Sequence, residues 1–334
     1  MSSLIDDLMD PRALPDPTSG VTLVQTHISL VFVGDDYVYK VKKAVDFGFL
    51  DFTTLERRRH FCEEEVRLNR RLSRGLYTGV LPVVVDRDRH RIGHGQGTVV
   101  DYAVRMRRIP EALLMKSLFL KGQLTDRHLT RLAERLARFS GEAETSPQIE
   151  RFGEPDRFRL NTDENFRQTE PYVGRSIDAQ TFEAIRQWTD GAYRTHRLLF
   201  SDRIRQGRIR DCHGDLHMEH VCLADEIAIF DCIEFNQRFR YSDTLSDIAF
   251  LLMDLEFHGG QSQSQRLWEL YMRMTGETGV EALVTFYKIY RAYVRGKVTS
   301  FLLDDARIDE KAKTAAAARA RRYFELARQY VEQT

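Results

Sequence analysis

The stretch "CHGDLHMEHV", Cys212 to Val221, sets His213, His217 and His220 beside Asp215 and Glu219. Two chemistries could use such a cluster. Three histidines and an aspartate can in principle hold zinc for a hydrolytic reaction. A loop aspartate can instead orient an acceptor hydroxyl and take its proton late in a transfer reaction. Metal hydrolases usually draw their ligands from several separated segments, which counts against zinc here. Phosphoryl transfer needs a cation on the nucleotide phosphates, an acid to hold that cation, a carboxylate near the acceptor and metal ligands. Each of these parts has a candidate in the chain.

Asp215 is the candidate catalytic carboxylate, although a loop aspartate can also simply cap a turn. Asp231 ends the apolar run "IAIFD". A lone acid at the end of a buried strand needs a partner, either a metal or an arginine such as Arg238 or Arg240. On "YVYKVKK", Val38, Lys40 and Lys42 share one face, because strand side chains alternate. Lys40 has the more apolar flanks and is expected to point into a cleft, and Lys42 is expected to be solvated near the strand end. Helical geometry selects the acid. With Phe61 at zero, Leu68 falls at about −20°, Leu72 at about 20° and Glu65 at about 40°. Glu65 is therefore turned towards the core, where it needs a positive partner such as Lys40. Glu63 falls on the opposite, solvated face.

Elements must hold these residues in place. "VTLVQT" (21–26), "ISLVFV" (28–33), "YVYKVKK" (37–43), "VLPVVV" (80–85) and "TVVDYAVRM" (98–106) read as strands. "GDD" at 34–36 reads as a hairpin turn, with Gly34 free to take a positive φ. Thr53 and Glu56 have capping-box spacing before the helical pattern "LERRRHFCEEEVRLNRRL". After Pro110 the patterns are mostly helical, interrupted by a small hairpin around Asp231. The expectation is an α+β chain of two lobes. Residues 1–109 would form a nucleotide-binding lobe with a five-stranded antiparallel sheet and one helix. Residues 110–334 would form a helical lobe with the catalytic loop and acceptor site. A cleft between lobes is the default ligand site.

The chain has 334 residues, more than one hydrophobic core usually supports. Lys+Arg and Asp+Glu each number 50. That balance argues against a general nucleic-acid or membrane binder, since both need a basic excess. No apolar run is long enough for a transmembrane helix. The N-terminal "MSSLIDDLMDPRALPDP" lacks a secretion-signal pattern and reads as a short amphipathic helix stopped by Pro11. The four cysteines form no CxxC pair and read as thiols of a reducing cytoplasm.

"HGDLHMEHV", then "IFD", then "SDIAFLL" at 246–252 resembles the aminoglycoside phosphotransferase and choline kinase-like family within the protein kinase-like fold. The run "THISLVFVGDDYVYKVKKAVDFGFLDFTTLERRRHFCEEEVRLNRRL" is similar to bacterial aminoglycoside phosphotransferase-like proteins of unassigned substrate. The resemblance covers roughly residues 20–305, and Lys40, Glu65, His213-Gly214-Asp215, Asp231 and Asp247 carry it in this order. It implies a bilobal kinase-like fold and transfer of the ATP γ-phosphoryl group to a hydroxyl of a small molecule. It further implies that Asp215 is the catalytic aspartate and Asp231 the magnesium ligand. Lys40 would be the phosphate lysine held by Glu65, and Asp247 a helix acid bracing the catalytic loop. Met106 and Arg108, at the lobe boundary, become candidate nucleotide contacts.

Several departures qualify the resemblance. The literal "DFG" at Asp46-Phe47-Gly48 precedes the catalytic loop and reads as linker; Asp231-Cys232-Ile233 takes the functional position. No GxGxxG is present, so phosphate contacts at the first turn would come from Thr26, Ser29 and backbone amides. Gly214 replaces the arginine that senses a phosphorylated activation loop in protein kinases, which favours a small-molecule acceptor, with a protein acceptor left open. His220 stands where an asparagine would bind the second metal. It could bind metal and shift the preference from Mg²⁺ to Mn²⁺. It could instead bond Asp215, leaving the metal to Asp231 helped by Glu234. Or metal binding could be lost, giving a nucleotide-binding pseudokinase or regulatory module. Arg291 and Arg295 lie one helical turn apart. They would favour an anionic acceptor if they line the cleft, or bridge to "DTLSD" and "DDARIDE" if they do not.

Overall fold

The structure is a computed structural model that describes residues 3–93 and 95–334. It divides into two compact units. The first comprises Met1–Gly122 and Glu219–Gln237, the second Gln123–Met218 and Arg238–Thr334. The first unit thus takes in the segments 110–122 and 219–237, which the sequence assigns to the helical lobe.

The first unit is built on an antiparallel sheet. Its strands are β1 (Thr22–Gln25), β2 (Ser29–Val33), β3 (Tyr37–Lys42), β4 (Tyr77–Asp86), β5 (Arg89–Ile92) and β6 (Thr98–Arg107), in the order β1-β2-β3-β6-β4-β5. Among the described residues the sheet has six strands where five are expected. The extra strand β5 lies in a stretch rich in Arg, Asp and His that reads as a turn. Arg87 and Asp88 both take positive φ, 50° and 63°, and close a two-residue hairpin in which Asp86 pairs with Arg89. Such turns usually carry Asn-Gly or Asp-Gly, and neither stands here.

Alternation along β3 separates two faces. Tyr39 and Val41 join a buried cluster with Leu8, Leu30, Phe32 and Ala103. Lys40 and Lys42 point the other way, towards the Leu55–Asn69 helix, whose Cys62 and Val66 pack with Tyr77 and Val104. That helix is capped by Thr54, whose Oγ1 accepts from Arg57 N–H at 3.3 Å, so the cap lies one residue past the expected Thr53. Thr53 instead bonds Asp51. Gly34 does not use a positive φ. Space rather than φ favours it: a Cβ there would fit tightly, 3.0 Å from Thr18 Oγ1 and 3.2 Å from Tyr37 O. The N-terminal helix spans Leu4–Leu8, and a 3₁₀ turn starts at Pro11.

The second unit is helical. Its Thr244–Phe257 helix, "TLSDIAFLLMDLEF", is buried on nearly all sides. Asp243 caps it, accepting from Leu245 N–H at 3.0 Å, and is held by the buried Arg203 at 2.8 Å. The Glu281–Ser300 and Glu310–Glu332 helices pack around Tyr293, Tyr323 and Phe324, with Phe166, Ile177 and Ile185 closing the core. Among the described residues no disulfide joins the four cysteines, all of which are buried. Among those residues, too, no helix is long and apolar enough to cross a membrane.

Candidate active site

In the first unit, strand alternation and helix phase bring five charged side chains together. Lys40 Nζ lies 3.0 Å from Glu65 Oε1 and 2.7 Å from Asp231 Oδ1. Lys42 Nζ lies 2.7 Å from Glu65 Oε2 and also bonds Glu234. Glu65 is fully buried, as its helical phase predicts. Lys42 is not solvated. Its side chain is fully buried, that of Lys40 is 13% exposed, and that of Asp231 is 42% exposed. The strand end that should have bathed Lys42 is covered by the Leu55–Asn69 helix, by Phe52 (5.0 Å from Nζ to the ring centre) and by Glu234. Both lysines therefore share one glutamate, one on each oxygen.

The charges sustain one another. Burial works against the charged form of Lys40, yet Asp231, Glu65 and Glu234 outweigh it and hold its pKa well above the usual lysine value. Burial alone would raise the pKa of Glu65, but Lys40 and Lys42 bring it below the ordinary carboxylate value. Lys40, Lys42 and Glu65 thus favour one another's charged forms, whereas burial raises the carboxyl of Glu234 above the ordinary value despite Lys42 beside it.

Asp231 has a constrained backbone. Its φ is +62°, uncommon for a residue with a side chain. Its N–H donates to Tyr77 Oη at 3.2 Å, and the next N–H, of Cys232, donates to Asn69 Oδ1 at 2.9 Å. Asn236 Nδ2 donates to Phe49 O at 3.0 Å. His220 Nε2 lies 3.5 Å from Asp231 Oδ2, on the side away from Lys40. Asp231 and His220 together could offer a divalent cation one carboxylate and one imidazole nitrogen. Glu234 is engaged by Lys42.

Other sequence candidates of this unit have local structural roles. Thr26 Oγ1 accepts from Ser29 N–H at 2.9 Å and closes its own turn. Ser29 is fully buried opposite Lys42 in the β2–β3 register. Met106 packs with Cys62, Val66 and Tyr77. Arg108 Nη1 donates to Gly34 O at 3.1 Å, at the turn between β2 and β3. Asp46-Phe47-Gly48 forms a small turn in which Gly48 N–H donates to Asp46 Oδ1 at 2.7 Å.

In the second unit, the backbone before Asp215 is gripped from both sides. Asp247 accepts from His213 N–H at 2.7 Å and from Gly214 N–H at 2.9 Å. Arg291 Nη1 donates to Gly214 O at 2.7 Å, and its Nε and Nη2 donate to Ser246 Oγ at 3.1 and 2.9 Å. Gly214 takes φ +86°, which suits glycine alone. Asp215 N–H donates to His213 Nδ1 at 3.2 Å, so that nitrogen is not offered to a metal. Asp215 keeps 34% of its side chain exposed, and His217 Nε2 lies 3.6 Å from its Oδ2. Met218 N–H donates to Asp254 Oδ2 at 3.0 Å. Arg291 is buried, and its guanidinium is engaged by Gly214 O and by Ser246 Oγ of the "DTLSD" segment. Arg295 lies over the Tyr323 ring, its carbon 5.8 Å from the ring centre. The sequence reading missed Arg291 as a loop clamp and Asp254 as a loop acceptor. Only the burial of the helices that carry them points to these roles.

The profile of the phosphotransferase enzyme family matches residues 35–283. Proteins of Mycobacterium tuberculosis and Mycobacterium bovis, both described as uncharacterized, are 32% identical over 309 residues, or 92% of this chain. The chain spans 59% of the length of those relatives. A choline/ethanolamine kinase family protein from Mesorhizobium loti has a TM-score of 0.54 at 16% identity, covering 99% of this chain and 100% of its own. An aminoglycoside phosphotransferase candidate from Ralstonia eutropha has a TM-score of 0.55 at 13% identity, covering 95% of this chain and 93% of its own. At such identities the likeness establishes the fold, α+β and bilobal in the protein kinase-like manner. With the family profile covering most of its length, the chain belongs to the phosphotransferase enzyme family.

Proposed function

We propose that this protein transfers the γ-phosphoryl group of ATP to a hydroxyl of a small-molecule acceptor. The observation that carries the reading is the Lys40 ammonium held between Glu65 and Asp231. A lysine kept charged by a buried glutamate, beside a partly exposed aspartate, is what phosphate and metal need together. The names of the two solved structures, one a choline/ethanolamine kinase family protein and one an aminoglycoside phosphotransferase candidate, support a small-molecule acceptor.

The roles follow from the chemistry of each side chain. Lys40 releases Asp231 and contacts the α- and β-phosphates. Asp231 would hold the divalent cation, with His220 as the nitrogen donor beside it. The residues fit that cation, and the imidazole favours Mn²⁺ more than Mg²⁺ does an asparagine amide. Once bound, the cation neutralises charge on the phosphate oxygens. Asp215 orients the acceptor hydroxyl and takes its proton late, while Asp247 and Arg291 keep the backbone beside it fixed. Glu234 acts through Lys42.

Equilibrium binding of a fluorescent ATP analogue with Mn²⁺ tests this reading. Lys40→Met and Asp231→Asn should each weaken binding by about 10–100-fold, with circular dichroism unchanged. Wild-type affinity in both folded variants would contradict it.

A further inference from the structure

Lys42 and Glu234 contact neither phosphate nor metal in the roles just assigned, yet they form a deeply buried ion pair, second in burial only to Lys42–Glu65. Lys42 and Glu65 have fully buried side chains, and that of Glu234 is 4% exposed. Exposure then rises outward, to 13% at Lys40 and 42% at Asp231. A single lysine on Glu65 could not leave without stranding a buried carboxylate, which is costly. Here Glu65 carries a lysine on each oxygen, Lys40 on Oε1 and Lys42 on Oε2. Lys42 also ties Glu234 to β3, three residues after Asp231.

We infer a division of labour between the two lysines, resting on the reading that Asp231 binds the metal. Lys42 is a fixed positioning cation. It compensates Glu65 permanently and, through Glu234, sets the segment that presents Asp231. Lys40 is the exchangeable cation. It stands on Asp231 Oδ1 at 2.7 Å and must vacate that oxygen when a divalent cation arrives. Lys40 therefore competes with the metal until nucleotide phosphates draw it away, whereas Lys42 supports the metal site throughout.

This predicts opposite signs for the two lysines in one measurement, nucleotide-free Mn²⁺ binding followed by electron paramagnetic resonance. Lys40→Met should bind Mn²⁺ several-fold more tightly than wild type, because the competing ammonium is gone, with little loss of thermal stability. Lys42→Met should bind Mn²⁺ about tenfold more weakly, as loss of an outer support does, and melt earlier. If Lys42→Met does not fold, Lys42→Met/Glu234→Gln removes the stranded charge. It should regain stability over the single variant and still bind Mn²⁺ about tenfold more weakly than wild type. Weaker binding in Lys40→Met, or wild-type binding in the folded Lys42 variants, would overturn the division of labour. Asp231→Asn serves as reference. Unchanged Mn²⁺ binding in that variant would instead sink the assignment of Asp231 to the metal.

Discussion

Arg291 shows how far a residue's type can mislead without its surroundings. On a helix of a suspected acceptor lobe it suggests an anion contact, but its guanidinium is buried on Gly214 O and Ser246 Oγ. Arg291→Ala would leave a buried carbonyl and hydroxyl without their donor. Urea unfolding should show a loss of about 2–4 kcal/mol. Because the clamp acts on the Asp215 backbone, affinity for the ATP analogue should stay within a few-fold of wild type. A loss of nucleotide affinity with stability intact would contradict the clamp. At this scale the sequence was informative where a periodicity could decide. Glu65 was separable from Glu63 and Glu64 by helix phase, and it alone of the three is buried. Strand parity placed Lys40 and Lys42 on one face but could not rank them, because Glu234, the group that buries Lys42, is distant in sequence.

Elements with a strong period were legible, and those defined by a turn were less so. The strands bearing Lys40 and the helix bearing Glu65 stand where their patterns put them. The hairpin strand β5 did not, since Arg87 and Asp88 adopt positive φ without a glycine to announce it. The same holds for close packing between helices. Gly296 sits in the Glu281–Ser300 helix, where sequence gives no reason for glycine. A Cβ there would lie 2.7–2.9 Å from carbons of the buried Phe324 ring. Gly296→Ala should therefore destabilise by about 1–3 kcal/mol in thermal or urea unfolding, despite the gain in helix propensity. A stabilised variant would mean that the Glu310–Glu332 helix yields easily at this contact.

Across the whole molecule, the family and the kinase-like fold were readable from the resemblance carried by Lys40, Glu65, His213-Gly214-Asp215, Asp231 and Asp247. The acceptor was not, because no periodic or spaced pattern encodes it and the arginine that hinted at an anion is committed to the loop. The neutral balance of 50 basic and 50 acidic residues gives no further direction. The relatives from Mycobacterium extend well beyond the length this chain matches, so their whole activity is a separate question. The central claim is transfer of a phosphoryl group from ATP with Asp215 at the acceptor hydroxyl. Its most direct test is incubation of the purified protein with γ-labelled ATP, Mn²⁺ or Mg²⁺ and a small-molecule metabolite extract, beside Asp215→Ala. The account predicts a labelled product with the wild type, reduced at least about a hundredfold in the variant. Equal labelling by both proteins would contradict it.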